Sequence, residues 1–396
     1  MKNFKLILLL TLLGFVACTE FEHGPNVTSS VNPAKVENVR ITPINGGFDI
    51  TYDLPKNNDI LYVKAVYTNG IGIETEVKAS VFSNKIQILG FNDMTEKNIK
   101  LYAVNRSDMI SEPFSVSGTP LISPLQLIQK SMEIVSDFGG AKFTWINELK
   151  ATIAIDLLVK NAKGKMVVAK TQYTSQKGAS QVSIRGYESV PTLFAALIRD
   201  TYGNFSDTIY AATPDKLLTP LFETRLDKKL FKKVVLQNDV DWSQWGADYF
   251  RIFDDDIVNL GGHTLGGQPF PQILTVDLGV NVKLSRFTVF QRTETNFAYT
   301  HGNPKTYDVY GAKVLPGTSG DLSDWILLKQ CQSTKPSGLP LGQKTDEDNA
   351  YAIAGDEYTF ENATEIRYFR FVVKETWDGA NYVNFNELTF WGVLSK

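Results

Sequence analysis

Cysteine is almost missing from this chain: 396 residues hold only Cys18 and Cys331. One pair so widely separated makes no disulfide framework, so the folded parts must be held by packed cores. Histidine is nearly as rare, with His23, His263 and His301 the whole supply. Neither His-Glu-x-x-His, nor Gly-x-Ser-x-Gly, nor a phosphate-cradling glycine loop occurs, which removes the zinc-hydrolase, serine-hydrolase and nucleotide signatures. Paired carboxylates for glycoside hydrolysis are defined by distance in space, so the sequence leaves that reading open. Net positive charge is lacking too. A formal charge of -3 offers nothing to a phosphate backbone, which excludes nucleic acid as the expected partner. Helix-length amphipathic patterns are scarce, and the one long apolar run lies at the N-terminus.

That run is what the chain does have at its start. Lys2 and Lys5 precede Leu6-Ile7-Leu8-Leu9-Leu10-Thr11-Leu12-Leu13, which continues through Gly14-Phe15-Val16-Ala17 to Cys18. It is shorter than the ~20 apolar residues that cross a bilayer as a helix, and it reads as a cleaved export signal over residues 1–17. Val16-Ala17-Cys18 resembles the lipobox of bacterial lipoproteins, with Phe15 where that family usually has leucine. The resemblance implies lipidation of Cys18 and attachment to a membrane through the lipid. Residues 18–34 are polar and turn-rich and read as a flexible tether. Glu20 and Glu22 resemble the acidic signal that sends Bacteroidetes lipoproteins to the outer face of the outer membrane.

Beyond the tether, hydrophobic residues at 43% and aromatics at 12% are ample for cores. Their period is two. Phe48, Ile50, Tyr52 and Leu54 alternate with polar neighbours, as do Leu61, Val63, Ala65 and Tyr67, and Ile99, Leu101 and Ala103. Such alternation puts one strand face in a core and the other in water. Short strands at this spacing predict a fibronectin-like β-sandwich over 35–118. After the break Gly118-Thr119-Pro120-Leu121-Ile122-Ser123-Pro124, Ile153, Ile155, Leu157 and Val159 repeat the pattern, predicting a second sandwich over 122–215. The remainder, 220–396, carries every tryptophan except Trp145 and further strand patterns. The chain is expected to be all-β: two tandem immunoglobulin/fibronectin-like sandwiches, then a larger β domain.

Five segments give that last domain a resemblance: Thr275-Val276-Asp277-Leu278-Gly279, Tyr307 to Gly311, Trp325 to Leu328, Ile366 to Phe371 and Asn386 to Gly392. In this order they resemble discoidin-like domains, the jelly roll shared with galactose-binding carbohydrate modules. Leu61 to Tyr67 with Leu101 to Val104, and Asp137 to Gly140 with Ile184 to Tyr187 and Asp200 to Asp207, resemble two Bacteroidetes lipoprotein domains of uncharacterised function. These often occur in polysaccharide-utilisation loci. The resemblance implies a surface lipoprotein whose partners are a glycan, an outer-membrane transporter and companion glycan-binding lipoproteins.

It also implies two sites. Discoidin-like domains often hold a structural calcium in an early acidic loop. By position, Asp254, Asp256 and Glu387 would give side chains and Arg251 and Asn259 carbonyls, although Asp255 stands where the family usually has glycine. The other reading of this loop is a solvated acidic turn. Sugar binding needs an aromatic face for the ring's C–H surface and planar polar groups for its hydroxyls. Arg292, Tyr299 and His301 lead the candidates, joined by Trp377 and Asn381 and by Trp242, with Trp245 nearby; the other reading is that these aromatics pack a core. Three functions stand at this point: a glycan-binding lipoprotein, an accessory protein of an outer-membrane transport complex that binds no sugar, and a glycosidase without recognisable motifs. The expectation is a binding protein rather than an enzyme.

Overall fold

The computed structural model describes residues 29–56 and 59–395. Cys18, its proposed lipidation and the export signal lie outside them. The chain divides into two compact units, one running to Leu127 with Thr201–Asn204 added, the other Ile128–Asp200 with Phe205–Lys396.

The first unit is a two-sheet sandwich. Its strands are β1 (Glu37–Ile44), β2 (Gly47–Asp53), β3 (Ile60–Thr68), β4 (Glu74–Ser80), β5 (Lys85–Leu89), β6 (Lys97–Asn105) and β7 (Phe114–Gly118). They pair in the orders β1-β2-β5 and β4-β3-β6-β7. The predicted inward residues Phe48, Ile50, Tyr52, Val63, Ala65, Tyr67, Ile99, Leu101 and Ala103 are all buried in one core. Leu61 is the exception, 45% exposed. A register shift between Ile60 and Tyr62 turns Ile60 inward instead, because one extra residue flips the facing of everything before it.

The second unit opens with α1 (Pro124–Ser131), a short helix shared across the boundary, and then repeats the scheme. Its strands are β8 (Glu133–Asp137), β9 (Gly140–Asn147), β10 (Ile153–Lys160), β11 (Met166–Thr174), β12 (Gly178–Ile184), β13 (Thr192–Asp200), β14 (Ile209–Tyr210) and β15 (Leu217–Leu218). One sheet runs β12-β9-β8 and the other β11-β10-β13-β14, with β15 also on β13. This is strand for strand the order of the first sandwich.

The C-terminal domain follows with β16 (Thr224–Arg225), β17 (Lys232–Val234), β18 (Gly262–His263), β19 (Gln272–Phe290), β20 (Pro304–Ala312), β21 (Ile326–Gln332), α2 (Asp346–Ala354), β22 (Asp356–Thr359), β23 (Glu365–Thr376), β24 (Asn384–Phe385) and β25 (Glu387–Leu394). β19 organises it. Its first half pairs with β17 and β23 and its second half with β22 and β25. The strand therefore passes from one layer to the other, bending at Gly279, whose φ is +75° and whose N–H donates to Asp277 Oδ1 at 2.8 Å. Leu274, Val276, Phe287, Val309, Phe369, Phe371, Leu388 and Phe390 fill the space between the layers. The described residues are nearly all β, with only short helices between the strands, as the patterning predicts.

Candidate functional site

One end of the C-terminal sandwich gathers four segments. The ribbon of β18 and β24 pairs His263 with Asn384. Gly261 allows the close approach, since it lies against the backbone just after β24; a Cβ there would sit 1.9 Å from the Asn386 carbonyl oxygen. The His263 ring stacks on Tyr382 at 5.0 Å between centroids. Trp245 lies 6.5 Å from His263 and is 77% exposed. Its φ is +58°, a left-handed conformation that a bulky residue adopts only when the surroundings enforce it.

The loop after β19 supplies the polar groups. Asn303 is fully buried and ties the loop's two ends: its Oδ1 accepts from the Arg292 N–H at 2.7 Å and its Nδ2 donates to the carbonyls of Arg292 and Phe297, both at 2.9 Å. Gln291 Oε1 accepts from the Tyr299 N–H. Thr295, Asn296, Tyr299 and His301 all have positive φ, so backbone strain is concentrated in this loop. Asp378 joins the neighbouring loop by accepting from the N–H groups of His301 at 2.7 Å and Gly302 at 3.1 Å. The exposed His301 ring lies 3.8 Å from Phe297, and the Arg292 guanidinium caps that same phenyl ring at 4.8 Å while pairing with Glu294.

Electrostatics fix the state of His263. Burial, reinforced by the Arg292 charge, lowers its pKa, which favours the neutral ring. Its Nδ1 lies 2.7 Å from the Thr264 carbonyl oxygen and must donate there, leaving Nε2 as the ring's acceptor. The end thus offers an exposed indole, a neutral imidazole, a guanidinium and the exposed Asn381. Asn381 holds its own turn through its carbonyl, which accepts from Gly267 N at 3.2 Å and Gln272 Nε2 at 3.3 Å.

Two sequence candidates, Trp242 and Tyr299, are corrected to core residues, and a third, Trp377, is half-buried. Trp242 is 2% exposed, packs edge-on to Phe385 and donates its Nε1 to the Ile273 carbonyl; it is a core residue, and Trp245 is the exposed one. Tyr299 is 1% exposed, its hydroxyl donating to the Asp348 carbonyl at 3.0 Å. Trp377 is half-buried, edge-on to Tyr299, with Nε1 donating to Ser333 Oγ at 3.2 Å, so it wedges the loop base. Arg292, His301 and Asn381 remain at the exposed end. His263, Tyr382 and Asp378 are missing from the sequence candidates. His263 and Tyr382 are 119 residues apart, and no local pattern reports that stack.

The acidic turn that carries the calcium expectation is held by its own hydrogen bonds. Asp254 Oδ1 accepts from Asp256 N, and Asp256 accepts from Val258 N, Asn259 N and Asn259 Nδ2. Glu387 is fully buried, and its Oε1 takes the Lys228 ammonium at 2.8 Å while Oε2 takes Asp255 N at 2.8 Å. Burial pushes the Glu387 carboxyl up to about 7, against the pull of Lys228. The Arg251 side chain donates to the Gly246 carbonyl. Among the described residues no group of three or more His, Cys, Asp or Glu side chains gathers as a metal centre. Calcium takes six to eight oxygen donors; here the Glu387 carboxylate faces Lys228, and the Asp254 and Asp256 carboxylates accept from N–H groups of the turn itself.

Residues 33–120, 118–229 and 252–392 match, in that order, families described as DUF4959, DUF5126 and DUF5000, all domains of unknown function. A solved SusE-like protein is 32% identical over 68% of this chain and 98% of its own, with a TM-score of 0.42. The C-terminal domain of a chitobiase from Bacteroides fragilis is 16% identical, over 44% of this chain and 100% of its own, with a TM-score of 0.32. A putative chitobiase fragment from Bacteroides thetaiotaomicron is 21% identical, over 44% and 95%, with a TM-score of 0.31. No curated protein matches.

Proposed function

Because the chain belongs to the family of the SusE-like protein that it matches over nearly that protein's whole length, we propose that it is a cell-surface lipoprotein that captures glycan. In this reading the lipid on Cys18 fixes it to the outer membrane, and the tandem sandwiches carry the C-terminal domain, of discoidin-like type, away from the surface. Binding, not hydrolysis, is the activity.

The observation that carries the reading is the exposed Trp245, held at positive φ beside the stacked His263–Tyr382 pair. An indole face packs against the C–H face of a sugar ring, and the fixed polar groups around it meet the hydroxyls. Arg292, His301, Asn381 and His263 Nε2 supply donors and acceptors at the same end. An exposed platform already paid for in backbone strain loses little freedom on binding.

Affinity electrophoresis and calorimetry of the full chain against a panel of polysaccharides test this. Trp245→Ala and Arg292→Ala are expected to weaken binding at least tenfold with the melting temperature unchanged within a few degrees, a loss of roughly 1.4 kcal/mol or more. A folded protein that binds no member of the panel, or binding indifferent to Trp245→Ala, sinks the proposal. Association with an outer-membrane transporter is read separately, by pull-down from native membranes.

A further inference from the structure

We infer that the Lys228 ammonium is the resident cation of the acidic turn, and that the C-terminal domain needs no divalent metal there. The resemblance to discoidin-like domains implies calcium at this place; the side chains present a different solution.

An ammonium has three protons to give. Lys228 directs them to Glu387 Oε1 at 2.8 Å, Thr389 Oγ1 at 2.9 Å and the Asp255 carboxylate. All three acceptors are oxygens, as a hard cation would demand. The Lys228 side chain is 8% exposed and Glu387 is 0% exposed, so the pair is largely withdrawn from water, where an uncompensated charge is strongly unfavourable. Arg225 adds a second cation, its guanidinium reaching Asp255 at 2.5 and 3.2 Å. Two basic groups thus face the two carboxylates of Asp255 and Glu387, and the charge closes without a metal.

Asp255 makes the arrangement specific. It stands where the discoidin-like pattern usually has glycine, and its own backbone is left-handed, with φ of +72°. Its N–H donates to Glu387 Oε2, and its carboxylate supplies the anion that Lys228 and Arg225 share. The residue that departs from the pattern is therefore the one that accommodates the lysine. Lys228 comes from the short 3-10 turn Lys228–Leu230, opened by Asp227, whose side chain accepts from the Lys229 N–H at 3.0 Å. That turn lies upstream of the matched segment 252–392, and 159 residues separate Lys228 from Glu387. A depression of about 510 Å³ lined by Arg225, Lys228, Phe250 and Asp254 opens onto the group, so an added ion has access to it.

The test uses the purified full chain at mildly alkaline pH. Elemental analysis is expected to find far less than one calcium per chain, and the melting temperature is expected to agree within about 1 °C in EDTA and in millimolar calcium chloride. One calcium per chain, or a fall of several degrees in EDTA, overturns the inference. Lys228→Gly removes the cation and opens its space. Its melting temperature in EDTA is expected to drop by roughly 5–15 °C, and calcium is expected to restore part of that loss while leaving the wild type unmoved. A variant as stable as the wild type, or calcium stabilising both alike, overturns it as well. Should the variant fail to fold, the wild-type measurements decide alone.

Discussion

Asp356 shows how much one side chain can contribute to pH dependence here. It is 3% exposed and accepts from Ser333 Oγ at 2.7 Å, Thr334 N at 3.2 Å and Gln291 Nε2 at 3.3 Å. Those donors favour the anion, yet burial outweighs them and raises the carboxyl to about 6. A carboxyl with a raised folded pKa keeps a proton that the unfolded chain releases. Its contribution is therefore full below about pH 4 and is lost as pH rises through about 6. Wild type should lose on the order of 3 kcal/mol relative to Asp356→Asn across that window. Denaturant titrations of both proteins from acid to neutral pH measure it; parallel curves would refute the assignment. The same carboxylate organises Ser333, which receives Trp377 Nε1, and Gln291, which fixes Tyr299. Loop order and the protonation of Asp356 are thus linked through direct contacts.

Among the elements, the loop from Arg292 to Asn303 depends on glycine at its close. Gly302 has φ of +74°, and a Cβ there would meet the Tyr382 ring at 2.7 Å. Gly302→Ala must strain the backbone and push Tyr382 off its stack with His263. The expected cost is about 1–3 kcal/mol, visible as a melting shift of a few degrees, together with weaker glycan binding than any loss of stability explains. Equal binding by the alanine variant would show that the Tyr382 position does not shape the site. Strand elements were more legible than this loop. The alternation in β2, β6 and β10 gave their buried faces directly. In β3 the rule broke at Leu61, because a bulge depends on how the neighbouring strand is paired, and that pairing is not local.

On the scale of the whole molecule, the second compact unit contains both the second sandwich and the C-terminal domain, joined by a charged network. Arg185 bonds Asp137 at 2.9 Å and Glu357 at 2.7 Å, and Arg286 bonds Glu357 and Glu223, both at 2.8 Å. The Arg286 guanidinium also lies 3.5 Å from the centre of the Trp391 ring. Arg286 and Glu223 side chains are each 6% exposed, so removing Arg286 leaves the Glu223 carboxylate buried without its cation. Arg286→Ala should cost about 3–5 kcal/mol, and calorimetry should show the C-terminal domain melting apart from the second sandwich. A single unshifted transition would contradict this. A C-terminal domain fixed to the second sandwich in this way presents its loop end in a defined direction within that unit.

By itself the sequence determined the all-β class, the inward faces of most strands and the family-like order of the domains. Those are properties of period-two alternation and of short motifs, which act over a few residues. Cys18 was legible as a candidate lipid anchor for the same reason. The tertiary structure alone decided which aromatics are exposed and which are core, placing Trp245 outside and Trp242 inside although they lie three positions apart. It alone brought His263 to Tyr382 and Lys228 to Glu387. Such meetings depend on how distant strands pair and layers close, and no local pattern of residue types encodes them.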